Sequence, residues 1–390
     1  MRVLVFTSHY PAAEAPTRGT FNRELFRELG KRCELRLVGA VPWWHRRHLG
    51  GGMFFPRRER DETLEATWLS YWSIPGAWPL HGAAAHASTR LAVRAERRRF
   101  PFDLVLASWG YPDAVAAAAH AKRAGVPLVV NVLGSDVNDL ARRPLLAPQI
   151  RWAFARAQRV VAVSGALGER VVKMGVPLGR VTVLRNGVDT STFAPREQGE
   201  ARRALGLPAG GRVVLYTGNF HRVKGADVLL EAMARLDRPD VRLYLVGRGP
   251  LEPALWEQAA ALGLGERVRF VGPEPHHRIP SWMAAADLLC LPSRNEGCPN
   301  VVLEALASGR GVVASRVGGV PEILDEERGV LVPPGEPEAL ARGLRAGLDR
   351  AWDAGRQRAA VEGRGWADVA ARYLEIFEDA RRAQASISAG

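Results

Sequence analysis

Short Val- and Leu-rich runs punctuate the first half of the chain: RVLVFTS (2–8), ELRLVGA (34–40), DLVLAS (103–108), PLVVNVL (127–133), RVVAVS (159–164) and RVTVLR (180–185). They are continuous rather than alternating, which predicts strands buried on both faces, as in parallel sheets. Ala-, Arg- and Glu-rich segments at 20–31, 82–99, 112–124 and 166–174 are expected as the intervening helices. After NGVDTSTFAPREQGE (186–200) the pattern restarts with RVVLYTG (212–218), VRLYLVG (241–247), RVRFVG (267–272), DLLCLPS (287–293), RGVVAS (310–315) and GVLVPP (329–334). Two α/β, doubly wound, Rossmann-like domains follow from this βαβα order. Ligands of such sheets sit at the carboxyl ends of the strands, so a shared central cleft is expected. The last segment, WADVAARYLEIFEDARRA (366–383), predicts one amphipathic helix.

The length of 390 residues already exceeds one ordinary core. Cys33, Cys290 and Cys298 have no CxxC spacing, which argues against a disulfide framework and a zinc site. MRVLVFTSHYP breaks at His9 and Pro11, too soon for a secretory signal, and no apolar run approaches the roughly 20 residues of a bilayer span. A cytoplasmic protein with at most peripheral membrane contact is expected. Charge is unevenly placed: residues 1–190 hold 28 Lys and Arg against 15 Asp and Glu, whereas 191–390 hold 26 of each. The densest part is 41–60, where Trp43, Trp44, Phe54 and Phe55 interleave with Arg46, Arg47, Arg57, Arg58 and Arg60. Such a mixture suits an anionic membrane surface or nucleic acid, and equally an ordinary solvated Arg-rich surface.

The chemistry concentrates in SRNEGCPNVVLEALASGRGVVAS (293–315), where Glu296 and Glu304 stand eight residues apart. Pro299 and Asn300 are helix-start residues and Gly309 is a stop, so the stretch predicts a loop, a helix N-terminus and a helix. Free amides and the positive dipole end would point at whatever the loop encloses, with Glu296 at the rim and Glu304 about one turn inside. This is a site for a molecule carrying both phosphates and hydroxyls.

EGCPNVVLEALASG resembles the E-x7-E signature of retaining glycosyltransferases of the GT-B fold, family 4 (glycosyl transferases group 1). Flanking segments agree in order: VLRNGVDTSTFAP, YTGNFHRVKGADVLLEA, LVGRGP, RVRFVG, VASRVGGVPEIL and RGVLVPPGEPEAL. The resemblance implies an acceptor-binding domain over 1–187, a donor-binding domain over 188–365, and a C-terminal helix (366–390) crossing back to the first. It implies a nucleotide-sugar donor (UDP- or GDP-sugar) and a hydroxyl acceptor, with no nucleic acid partner; the basic, aromatic 41–60 loop, suited to an anionic inner leaflet, favours a lipid-linked or cell-envelope glycan as that acceptor. Lys224 is expected on the donor diphosphate, aided by amides near Gly218 and Gly225. Asn219 stands where a second basic residue is frequent, and Arg222 is the candidate to supply that charge. Glu304 is expected to take two ribose hydroxyls, and Glu296 donor-sugar hydroxyls and developing positive charge. Backbone groups of Cys298, Asn300 and Val301 are expected to cap sugar or phosphate oxygens, and those around Val271 and Gly272 to read the base.

In the first half, Gly19 and Thr20 open a helix after the first strand and are expected on the acceptor side, with Trp109 and Ser164 at other strand ends. NVLGSDVND (131–139) matches a segment in which relatives read HGSD. Leu133 occupies the histidine position here, so Asp136 becomes the polar candidate for the sugar. His221, His276 and His277 have no metal-ligand spacing and are expected at the surface. No DxD-type pair stands at a strand end, so no cofactor or metal is expected, and no nucleophile is placed for double displacement. Two alternatives stay open at this point: a nucleotide-sugar isomerase of the same fold (2-epimerase-like), and a non-catalytic basic protein binding membranes or nucleic acid.

Overall fold

In the computed structural model, which describes residues 1–12, 18–44, 57–60 and 64–389, the apolar runs form strands and the intervening segments form helices. The chain divides into two units: Met1–Asn186 with Trp366–Gly390, and Gly187–Gly365.

The sheet of the first unit contains β1 (Arg2–Phe6), β2 (Glu34–Pro42), β3 (Arg57–Arg60), β4 (Glu65–Tyr71), β5 (Leu104–Ser108), β6 (Leu128–Val132), β7 (Arg159–Ala162) and β8 (Val181–Val183). Their order is β3-β4-β2-β1-β5-β6-β7-β8, and every pairing is parallel except β3 with β4. β3 and β4 are the elements that the apolar pattern misses. RRER is a charged edge strand, the composition that keeps an open edge from pairing with another chain. EATWLSY mixes polar and aromatic residues because it runs beside that edge. The stretch expected as one basic loop over 41–60 is therefore partly strand: Val41 and Pro42 end β2, and Arg57, Arg58 and Arg60 lie on β3. Arg46, Arg47, Phe54 and Phe55 lie outside the described residues.

The second unit carries β9 (Arg212–Thr217), β10 (Val241–Val246), β11 (Val268–Gly272), β12 (Leu288–Leu291), β13 (Gly311–Ser315) and β14 (Gly329–Val332). Its order is β11-β10-β9-β12-β13-β14, parallel throughout. Side-chain alternation along β9 sorts the two faces. Val213 and Leu215 pack with Val302, Leu303 and Leu306 of the Asn300–Ala307 helix. Val214 and Tyr216 pack with Leu229, Leu230 and Met233 of the Ala226–Arg235 helix. Both helices start at the carboxyl end of the sheet, one on each face, so their N-terminal turns flank one crevice. That crevice is where strand order reverses, between β9 and β12. In the first unit the corresponding reversal lies between β1 and β5.

The Trp366–Ala389 helix belongs to the first unit. Trp366, Val369, Tyr373, Ile376 and Phe377 join Val3, Val5, Leu37, Leu104 and Leu106 in one buried cluster with Phe26 of the Thr20–Gly30 helix. The first unit's core is therefore closed by the last residues of the chain. Phe377 is fully buried. Phe377→Ala is expected to cost about 3–5 kcal/mol, seen as a lowered urea midpoint by circular dichroism. The exposed Leu91→Ala serves as control; an equal, small shift for both would place the helix off this core.

Candidate functional site

β9 ends in a turn, TGNFHRVKG, whose last residues form a 3-10 turn (Arg222–Lys224) before the Ala226–Arg235 helix. β12 ends in the loop PSRNEGCP, which leads into the Asn300–Ala307 helix. Gly225 permits these segments to touch, and Gly318, in the turn after β13, lets that turn approach the β12 loop. A Cβ at Gly225 would collide with the carbonyl of Pro292, and one at Gly318 with the carbonyl of Glu296. Both sit at positive φ, 69° and 50°, where a side chain is strained as well.

At this junction Lys224 Nζ donates to Glu296 Oε1 at 2.8 Å, and Ser293 Oγ donates to the same oxygen at 2.7 Å. The Glu296 side chain is only 7 % exposed and that of Lys224 34 %. A carboxylate so withdrawn from water needs a cation and hydrogen bonds to stay charged, and it has both. A second tie runs beside it. Arg294 clasps Asp227 through two bonds of 2.8 and 2.7 Å, its Nη1 donates to the carbonyl of Arg222, and its amide donates to that of Val223. Burial pushes the Asp227 carboxyl up, but its bonds and charge contact with Arg294 outweigh this and hold it below its ordinary value. Neither Arg294 nor Asp227 stood out in the sequence, although the cation two residues before Glu296 and the acid three after Lys224 are both inside the quoted motifs.

Glu304 lies one turn into its helix, on the face it shares with Asn300. His276, in the turn after β11, reaches it with Nε2 3.4 Å from Oε1. His276 is thus half-buried beside a candidate carboxylate rather than a plain surface residue, which corrects the expectation for it; His221 and His277 are exposed. Its ring packs edge-on against Phe193, 5.5 Å between centroids, which places the end of β11 beside Glu304. Val271 and Cys298 are partly buried against the core, as is Val301 at the helix start. The Gly218 amide donates to Val246, and the Gly272 carbonyl accepts from Gly247. Asn219 and Arg222 are exposed. Among the described residues no group of three or more His, Cys, Asp or Glu side chains is placed to hold a metal.

At the crevice of the first unit the Thr7 hydroxyl donates to the carbonyl of Ser108 (2.8 Å), and His9 stacks on Trp109 with centroids 4.2 Å apart. Trp109 has φ 153°, the one non-glycine residue at positive φ among those described, a strain of the kind that collects at functional sites. Gly19 caps the helix that Thr20 begins. Two residues expected at the site are engaged in bonds to nearby backbone. Asp136 is fully buried, and its carboxylate accepts amides from Gly110, Leu133, Gly134 and Val137; it fastens the turn after β6 to the one after β5. Burial pushes this carboxyl up against the pull of those amides. Ser164, also buried, caps the Gly165–Lys173 helix by accepting from the Leu167 amide.

A residue that the sequence reading missed is Asp113, fully buried at the start of the Asp113–Ala124 helix. Its Oδ2 accepts the amide and hydroxyl of Ser8 at 2.7 and 2.9 Å, and Ser8 Oγ is 3.1 Å from His9 Nδ1. Burial pushes the Asp113 carboxyl up to about 7, against the Ser8 bonds and the Arg18 charge. Burial, with help from Arg18, lowers His9 to about 3, so its ring is neutral near pH 7.

Comparison with known proteins identifies the family and the fold. The family model described as glycosyltransferase family 4 matches residues 19–192, and the one described as glycosyl transferases group 1 matches 211–350. The chain is 31 % identical over 360 residues to TuaC of Bacillus subtilis, a protein named as a glycosyltransferase of teichuronic acid biosynthesis; the match covers 88 % of each chain. It is 36 % identical over 241 residues to a D-inositol 3-phosphate glycosyltransferase of Streptosporangium roseum, spanning 57 % of this chain and 55 % of that one. The crystal structure of Anabaena HepE in complex with UDP and glucose shares the fold with a TM-score of 0.76 at 22 % identity, over 97 % of this chain and 99 % of that one.

The Asp113 geometry sets a pH dependence. Its pKa is higher folded than unfolded, so the native state binds more protons between about pH 4 and 7, and stability falls as pH rises through that window. The single-site slope is at most about 1.4 kcal/mol per pH unit. Asp113→Asn is expected to lose this slope, so the stability difference between variant and wild type in urea unfolding should change with pH between 5 and 8. Parallel curves across that range would contradict the assignment.

Proposed function

The chain belongs to glycosyltransferase family 4, with that family's GT-B fold of two Rossmann-like domains, and from this premise we propose how it works and on what. It transfers a hexosyl group from a UDP- or GDP-sugar to a hydroxyl of a lipid-linked or cell-envelope glycan, on the cytoplasmic side, with retention of configuration and no divalent metal. The observation that carries this reading is the placement of Lys224, Glu296 and Glu304 at one topological switch point, each already held by a partner.

The ammonium of Lys224 has three donors, so it can keep its bond to Glu296 while donating to a diphosphate oxygen. The first turn of the Asn300–Ala307 helix, which has no side-chain cap, adds its dipole to that charge. Arg222, exposed on the same turn as Lys224, supplies a further cation, which the position of Asn219 lacks. Glu304 presents two oxygens to the two ribose hydroxyls, and His276 holds the carboxylate in register for them. Glu296, desolvated and fixed by Ser293, takes a donor-sugar hydroxyl and counters the positive charge that develops at the anomeric carbon. The nucleoside diphosphate departs on the face from which the acceptor hydroxyl enters, and its leaving oxygen takes the acceptor proton. The acceptor class is supported by the likeness to TuaC, whose name places it in envelope polysaccharide synthesis.

Purified protein, screened with UDP- and GDP-sugars with and without a lipid-linked acceptor, is expected to release nucleotide only when acceptor is present. Chelator should leave the rate unchanged. Glu296→Gln is expected to lower kcat by about 100- to 1000-fold, and Glu304→Gln to act mainly on KM. Conversion of donor to an isomeric sugar without acceptor would show an isomerase instead.

A further inference from the structure

From the end of β4 the first unit carries a segment, YWSIPGAWPL, in which Tyr71 is buried and most of the following apolar side chains are open. Trp72 is 63 % exposed, Ile74 55 %, Trp78 50 % and Leu80 58 %. The segment is folded, not ragged. A turn is closed by the Ala77 amide on the Ile74 carbonyl, the Trp43 indole donates to Ser73, and the buried Tyr111 hydroxyl donates to the Trp78 carbonyl. These bonds hold an apolar ridge toward water, which costs free energy unless something covers it.

The ridge continues onto a second element. Gln149 of the Ala147–Arg156 helix donates to the Pro79 carbonyl at 2.9 Å, and on the same helical face stand Trp152 and Arg156, the guanidinium 4.3 Å above the indole. Leu145, just before that helix, is 68 % exposed, and Arg143 lies 5.7 Å over the Trp78 ring. The charge here is one-sided. Residues 66–95 and 140–168 contain no Asp or Glu, while 140–168 contains five arginines. Asp139 stands at the border, paired with Arg143. No described helix is long and apolar enough to cross a membrane.

We propose that this ridge, Trp72 to Leu80 with Leu145 and the arginines at 142, 143 and 156, docks the first unit on an anionic bilayer surface. The indoles and aliphatic side chains enter the headgroup region, where tryptophan is favoured, and the guanidinium groups meet lipid phosphates. A protein partner or second copy would be met by a rim carrying both signs, whereas here the acidic side is Asp139 at the border, already paired with Arg143. The inference rests on the reading that the acceptor is membrane-associated, and it moves the docking surface from the 41–60 segment to this ridge.

The test is co-sedimentation of the full chain with phosphatidylcholine vesicles, pure or containing about one third phosphatidylglycerol, at low and high salt. Wild type is expected to bind the anionic vesicles and to release as salt rises. Trp72→Ser/Leu80→Ser/Leu145→Ser, all highly exposed positions, should lower partitioning about tenfold or more. Arg142→Ser/Arg143→Ser should weaken binding and flatten its salt dependence, whereas Arg57→Ser/Arg58→Ser on β3 should leave binding unchanged. Unchanged binding of the triple variant overturns the proposal, as does a wild-type dimer in sedimentation velocity that the triple variant splits. Nucleotide release with acceptor dispersed in detergent is measured alongside. Its absence in wild type would count against the reaction, whatever the vesicles show.

Discussion

Lys224 and Glu296 are 72 residues apart in the chain and 2.8 Å apart in space. Glu296 is almost wholly removed from water, so the loop after β12 cannot leave the turn after β9 without stranding a charge, a loss that costs several kcal/mol. The Arg294–Asp227 clasp ties the same two segments with better geometry, since a guanidinium meets both carboxylate oxygens at once. Gly225 lets these two backbones approach closely, and Gly318 lets the turn after β13 close on Glu296. The proposed donor site is therefore set by one reversal of strand order and by the charges that lock it.

The first unit uses the same reversal differently. Its polar groups at the strand ends are largely consumed in fastening turns: Asp136 gathers four amides and Ser164 caps a helix. Asp113 holds Ser8, which in turn meets His9. At that crevice His9 stacks on Trp109, with the charge of Arg18 beside His9.

The strands were legible because burial on both faces leaves continuous Val and Leu runs, as in VRLYLV and GVVAS. The edge strand RRER is half open to solvent and carries charges instead, and its neighbour EATWLSY, though mostly buried, interrupts its apolar residues with Glu65, Thr67 and Ser70. In the site, Lys224, Glu296 and Glu304 were visible through motif spacing. His276 and the Arg294–Asp227 clasp were not, because pairing across loops leaves no period in the chain. Asp136 and Ser164 carry a different lesson, since both hold backbone amides in the structure. A polar residue just past a strand looks the same in sequence whether it faces a ligand or caps backbone amides, and only the geometry of those amides separates the two.

A crystal structure of the full chain with UDP or GDP bound tests the central claim most directly. The ribose hydroxyls should lie within hydrogen-bonding distance of both Glu304 oxygens, with a diphosphate oxygen on Lys224 and the Lys224–Glu296 contact preserved. A nucleotide seated away from the β9–β12 reversal, with those three side chains untouched, would contradict it.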